Sequence, residues 1–232
     1  MTNYVLVHGA WGGAHGWRKV RPLLQKAGHE VFTPSLTGLG ERAHLTSPQV
    51  TLTTHIQDVV NCIEYEDLKQ IVLLGYSYGG MVITGAIDYV EERVSHVVYL
   101  DAFLPDDGQS LYGLTREQPR ALPGQDWLVP PPAREYDDPE EAAWANPRRN
   151  PQPRGCFTEP VRLLRPLEER TFSRTYIKAT GEPRPPEGGP FWRAADRTRD
   201  NPAWRYREIA TNHMIPNNRP KELASLLLEL AS

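Results

Sequence analysis

The chain has 232 residues, 39% apolar and 24% charged, with a formal net charge of −3. That length and balance suit one globular domain with a sizeable core, and they give no electrostatic footing for nucleic acid. Its two cysteines, Cys62 and Cys156, are too few and too far apart for a disulfide framework or a metal site, which points to a reducing, cytoplasmic setting.

The opening Met-Thr-Asn-Tyr-Val-Leu-Val-His-Gly has neither a basic leader nor an apolar stretch long enough for a signal peptide or membrane span. Tyr4 to Val7 form a first apolar run that ends at His8-Gly9-Ala10-Trp11-Gly12-Gly13. Residues Trp17 to Lys26 suit a helix closed by Gly28, and Glu30 to Leu36 suit a second strand. Ile56, Val59, Val60 and Ile63 recur at helical spacing behind the capping threonines 51, 53 and 54, which predicts an amphipathic helix. A short apolar run, Ile71 to Leu74, leads to a turn and then to a helix over Met81 to Arg93; Val94 to Leu100 is a further strand ending at Asp101. Thr175 to Ala179 and Trp204 to Ile209 suit the last strands, and Leu223, Leu226, Leu227 and Leu230 stripe a final helix. Strands alternating with helices predict an α/β fold, a six-stranded, mostly parallel sheet with helices on both faces and its strand C-termini on one edge.

The alternation is interrupted. Between Pro119 and Pro190 lie 15 of the 22 prolines, with Trp127, Trp144 and Phe157 among them. Apart from the strand at Thr175 to Ala179, this stretch cannot be sheet interior, and it is too aromatic for a linker. We expect a single domain over 1–232 with an inserted helical cap at about 105–172, built from short helices around 138–146 and 158–171. The arginines from Arg148 to Arg174 alternate with Glu159, Glu168 and Glu169, as on a solvated helical surface.

Chemistry concentrates at the turn after the third strand, Gly75-Tyr76-Ser77-Tyr78-Gly79. A G-x-S-x-G placed between a buried strand and a helix tolerates the strained backbone that pushes a serine hydroxyl out at the sheet edge. Ser77 is therefore the candidate nucleophile. Of the seven histidines, only His213 falls in the loop between the last strand and the last helix, on the same edge, where it would serve as general base. His8 suits strand-end packing, and the other five fall in loops, on helix surfaces or at strand starts. Two carboxylates compete to orient the imidazole. Asp101 is fixed at a strand end, whereas Glu182 lies in the loop Gly-Glu-Pro-Arg-Pro-Pro; the first is favoured for its fixed position, and the second stays open.

Taken together, Val-Leu-Val-His-Gly-Ala-Trp-Gly-Gly-Ala-His-Gly-Trp at 5–17, Leu-Thr-Gly-Leu-Gly-Glu-Arg at 36–42, Gly-Tyr-Ser-Tyr-Gly-Gly at 75–80, Phe-Leu-Pro-Asp at 103–106 and His-Met at 213–214 resemble the α/β-hydrolases. Within them, the likeness is to the group of plant methyl-ester esterases and hydroxynitrile lyases. The resemblance implies an oxyanion hole from the Ala10 and Tyr78 N–H groups. It also implies a triad acid after the penultimate strand, where this chain holds Glu182; Asp101 corresponds to the position that pancreatic-type lipases use. The lyases of the group carry lysine after the histidine, and Met214 stands there in this chain, so the resemblance is to the esterases.

The resulting expectation is a serine hydrolase for carboxylic esters of small to medium hydrophobic or aromatic groups, needing no cofactor and no metal. Its partner is a small-molecule ester, with neither nucleic acid nor membrane, and homodimerisation is left open. His15, Trp17, Phe103, Leu104, Trp127 and Trp144 are the candidate pocket residues. A lyase or other altered reaction on the same scaffold, and a non-catalytic ligand receptor, are the alternatives.

Overall fold

The computed structural model describes residues 1–118 and 120–230; Pro119, which opens the proline-rich stretch, and residues 231–232 lie outside the described residues. Six strands form one sheet: β1 (Asn3–Val7), β2 (Glu30–Phe32), β3 (Ile71–Tyr76), β4 (Val94–Leu100), β7 (Ser173–Ala179) and β8 (Arg205–Ile209), in the order β2-β1-β3-β4-β7-β8. A separate ribbon pairs β5 (Leu128–Val129) antiparallel with β6 (Gln152–Pro153). Every pairing in the large sheet is parallel, in registers such as Val5↔Leu73, Leu73↔Val97 and Leu100↔Ile177. Parallel strands are covered on both faces, which is why β3 is buried at every position and reads as a continuous apolar run.

The pleat divides the core in two. Val5, Val7, Leu73, Val97, Tyr99 and Tyr176 face helices α2 (Leu52–Tyr65) and α3 (Gly79–Val90). Tyr4, Leu6, Val72, Leu74, Val98 and Ile177 face α1 (Arg21–Lys26) and α9 (Pro220–Leu230). Each fully buried aliphatic side chain contributes about 1.5–3 kcal/mol. Helix α2 begins with a capping box between Thr51 and Thr54, as its threonines predict.

Between β4 and β7 the described residues hold, besides the ribbon, three short α-helices: α4 (Leu111–Thr115), α5 (Pro139–Ala145) and α6 (Gly155–Thr158). Helix α5 falls where a helix around 138–146 is expected. The expected helix over 158–171 does not form: α6 ends at Thr158, and only a single 3-10 turn follows at Leu167–Glu169. Pro160 and Pro166 remove donors that a helix there would need. Helices α7 (Pro190–Arg199) and α8 (Ile215–Asn218) are additions; α7 starts with proline at its first turn, a start signal that the surrounding loop composition obscures. The arginine stretch is not uniformly solvated either. Arg170 and Arg174 are buried, the first paired with Asp88 and Glu91, the second donating to the Leu167 carbonyl at 2.7 Å. No helix among the described residues is long and apolar enough to cross a membrane.

The β3–α3 junction is packed at contact distance. A methyl group on Gly75 would come within 2.5 Å of the Gly79 carbonyl oxygen, one on Gly79 within 2.7 Å of the Val7 oxygen, and one on Gly80 within 2.1 Å of the Phe103 oxygen. Gly80→Ala should therefore lose about 1–3 kcal/mol of stability in urea unfolding. Gly16→Ala, whose methyl meets nothing within 4 Å, should change it by less than about 0.5 kcal/mol; equal losses would contradict this packing.

Candidate active site

Ser77 is the first of the two residues between β3 and α3, with φ of 55°. This left-handed conformation is costly for a residue bearing a Cβ and persists only where the surroundings over-determine it. Here they do: Ser77 N donates to Leu100 O at 3.2 Å, while its carbonyl accepts from Gly80 N and Phe103 N at 3.1 Å each. Asp101 directly follows β4, also left-handed at φ 40°, with its N–H on Ile177 O at 2.7 Å. His213 lies between β8 and α8, where its carbonyl accepts from the Tyr76 hydroxyl at 2.8 Å and from Ile215 N at 2.9 Å.

These three side chains form one line. His213 Nδ1–H donates to Asp101 Oδ2 at 2.6 Å, which leaves Nε2 to accept from the Ser77 hydroxyl at 3.0 Å. The imidazole is stacked between two rings, Tyr76 at 5.0 Å and Phe191 at 4.9 Å. Burial pushes the His213 pKa below its ordinary 6.5, with Arg134 and Lys178 adding to the effect and the Asp101 carboxylate opposing it. Burial alone would raise the Asp101 carboxyl; its bond to His213 and the charge of Lys178 bring it below the ordinary 3.8. Such an arrangement can accept a proton from a hydroxyl and hold the resulting imidazolium beside a carboxylate.

Glu182 is not in this line. It is exposed in the loop after β7 and makes no hydrogen bond to His213, whose Nδ1 is taken by Asp101. The loop approaches the histidine's strand through Gly181, whose N–H donates to Thr211 O at 2.7 Å. Ala10 and Tyr78 flank the serine: the turn after β1 closes on it, with a methyl on Gly9 placed 3.0 Å from Ser77 Cβ. Among the described residues, neither the Ala10 nor the Tyr78 N–H finds a protein acceptor. The turn is pinned from the far side, since Trp11 N donates to Gln152 Oε1 at 2.9 Å and Trp11 Nε1 to Val129 O at 3.0 Å.

Two cavities meet at Ser77. The larger, about 790 Å³, is walled by Trp11, Phe103, Leu111, Pro130 to Pro132, Arg134 and Phe191. The smaller, about 70 Å³, is lined by His15, Trp17, Tyr136, Trp144, Arg134 and Arg149, with no carboxylate on its wall. Of the expected pocket residues, His15, Trp17 and Trp144 thus line the small cavity and Phe103 the large one. Leu104 and Trp127 line neither. Leu104 faces a separate cavity with Asp106 and Leu114, and Trp127 offers its carbonyl to Arg154 N at 2.6 Å. His55 is not a helix-surface residue: it is fully buried, between the Tyr78 hydroxyl and the Thr37 carbonyl at 2.9 Å each, and burial pushes its pKa down to about 4. Sequence reasoning missed Arg134, Lys178 and Phe191. Lys178 left one signal, a lysine within an apolar strand. Among the described residues, no group of three or more His, Cys, Asp or Glu side chains is arranged to hold a metal.

A family model described as "Alpha/beta hydrolase family" matches residues 4–226. The chain is 38% identical to the carbendazim hydrolyzing esterase of Nocardioides sp. (strain SG-4G), over 99% of this chain and 100% of that protein. It is 30% identical to methylesterase 1 of Arabidopsis thaliana over 54% of this chain and 49% of that one. Among solved structures, an extracellular alpha/beta-hydrolase from a Paenibacillus species superposes with a TM-score of 0.81 at 25% identity, covering 99% of this chain and 98% of that one.

The geometry predicts the result of a proton NMR comparison. The Nδ1 proton shared with Asp101 should give a far-downfield resonance that Asp101→Asn removes and Glu182→Gln leaves in place; the reverse pattern would assign the carboxylate to Glu182.

Proposed function

The chain belongs to the alpha/beta hydrolase family, and from that premise we propose that it is a serine esterase that cleaves carboxylic esters through an acyl-enzyme. The observation that carries this reading is the continuous hydrogen-bonded line Ser77–His213–Asp101 opening onto two cavities. Ser77 Oγ attacks the acyl carbon as its proton passes to His213 Nε2. The Asp101 carboxylate stabilises the imidazolium, and the Ala10 and Tyr78 N–H groups receive the oxyanion. His213 then returns the proton to the leaving alkoxide, and water, activated by the same imidazole, releases the acid.

The unequal cavities support a division of the ester between them. The large cavity, walled by Trp11, Phe103, Leu111 and Phe191, takes a hydrophobic or aromatic group. The small one has room for a few heavy atoms, and its guanidinium and aromatic wall favours groups that accept hydrogen bonds. Methyl esters of aromatic acids fit this division, as does carbendazim, the compound named for the Nocardioides relative. Residues 105–172 serve as a cap, supplying Leu111, the prolines and Arg134 to the large cavity. The free Cys62 and Cys156 accord with a cytoplasmic setting.

Ser77→Ala should lower hydrolysis of such esters by roughly 10⁴-fold or more while leaving the melting temperature unchanged; retained turnover would overturn the reading. The pH dependence has a definite sign. Only neutral His213 can take the serine proton, and burial lowers its pKa, so the acid limb of kcat/KM should be centred below pH 6.5. A limb centred above pH 7 in an assay across pH 4–9 would contradict it.

A further inference from the structure

The carboxylate that holds His213 has a second partner. Lys178 Nζ donates to Asp101 Oδ1 at 2.7 Å and to the Ala179 carbonyl at 2.6 Å, with both charged side chains buried, 5% and 3% exposed. The same Nζ lies 4.5 Å from the centre of the Trp192 ring, so two of its donors meet oxygens while an aromatic face covers the group. Ala179 N also donates to Oδ1, at 3.3 Å. Strand β7 thus occupies one oxygen of the carboxylate, and Oδ2 is left to face His213 at 2.6 Å. The pairing follows from register: Leu100 sits beside Ile177, and Asp101 and Lys178 are the next residues along.

We propose that Lys178 is a positioning residue for the esterase reaction, fixing the orientation of Asp101 and offsetting the charge of the carboxylate that faces His213. The inference rests on the serine-esterase reading above. A lone buried carboxylate would be strongly disfavoured at β4's end, and with the imidazole as its only partner it would raise the imidazole's basicity unopposed. Lys178 answers both needs. The charged groups around His213 are Asp101 from β4, Lys178 from β7, Glu182 from the loop after β7, which shares a cavity with all three, and Arg134 from the cap. Tyr76 and Phe191 cover its two faces. Asp101 raises the imidazole's basicity, whereas Lys178 and Arg134 lower it. Removing Lys178 therefore moves the pH at which His213 becomes neutral upward.

The test is the rate of Ser77 phosphonylation by a fluorophosphonate as a function of pH, which needs no knowledge of the natural ester. Wild type, Lys178→Met, Asp101→Asn and the double variant Asp101→Asn/Lys178→Met are compared. Lys178→Met should shift the acid limb upward by about half a unit or more and lower the plateau roughly ten- to hundredfold through misalignment. An unmoved limb, whatever the plateau, would overturn the proposal. The double variant removes both buried charges and so leaves neither unpaired; it remains a test if Lys178→Met alone fails to fold. It should label no more slowly than Asp101→Asn, because Lys178 acts through Asp101, and a further additive loss would overturn the proposal. Absence of labelling in folded wild type at every pH would bring down the serine-esterase reading itself, whereas normal wild-type labelling with an unmoved limb would bring down only the role of Lys178.

Discussion

The site depends on one backbone constraint: the chain must leave the sheet and enter helix α3 within two residues, Ser77 and the capping Tyr78. Ser77 meets it in a left-handed conformation at φ 55°, and the strain is held by contacts rather than by the residue's own preference. Gly75, Gly79 and Gly80 let β3, the end of β1 and the Phe103 backbone approach more closely than any side chain would permit. Two consequences follow from the same turn. The hydroxyl stands clear of the sheet, and the next residue, Tyr78, caps a twelve-residue helix with its amide free for an anionic oxygen. Behind it, the Tyr78 hydroxyl is anchored through His55 to the Thr37 carbonyl, which ties the turn to the rest of the core.

A second constraint is electrostatic. A carboxylate buried to the extent of Asp101 is tolerated only with its lone pairs satisfied and its charge opposed. The sheet supplies both, because β4 and β7 are neighbours in register and Lys178 reaches Oδ1 while His213 takes Oδ2. Position on the imidazole is then fixed by packing as well as by bonding, with Tyr76 on one face and Phe191 on the other. Phe191 comes from α7 and also walls the large cavity, so that cavity and the imidazole share a side chain.

How much of this was legible in the sequence depended on the range of the interaction that decides each feature. Buried parallel strands are apolar on both faces, so β1, β3 and β4 stand out as short runs without reference to the rest of the chain. The turn at Ser77 is equally local. Which carboxylate meets His213 is not: Asp101 and Glu182 both follow strands on one edge, and only the register of β4 against β7 puts the first on the imidazole and a lysine behind it. The Asp101–Lys178 pair spans 77 residues of sequence. The proline-rich stretch was hardest. Its conformation is set by ring geometry and by contacts with the turn after β1, such as Trp11 on Val129. Composition therefore located an inserted element but not that Leu104 and Trp127 turn away from the serine.

The central claim, that Ser77 is the acylated nucleophile, is tested most directly by acid-quenching the enzyme during turnover of a slowly deacylating aryl ester and mapping the acylated peptide by mass spectrometry. The account predicts the acyl mass on Ser77 alone, appearing in a burst and decaying as the acid is released. Turnover with no acylated peptide, or with the acyl group on another residue, would contradict it.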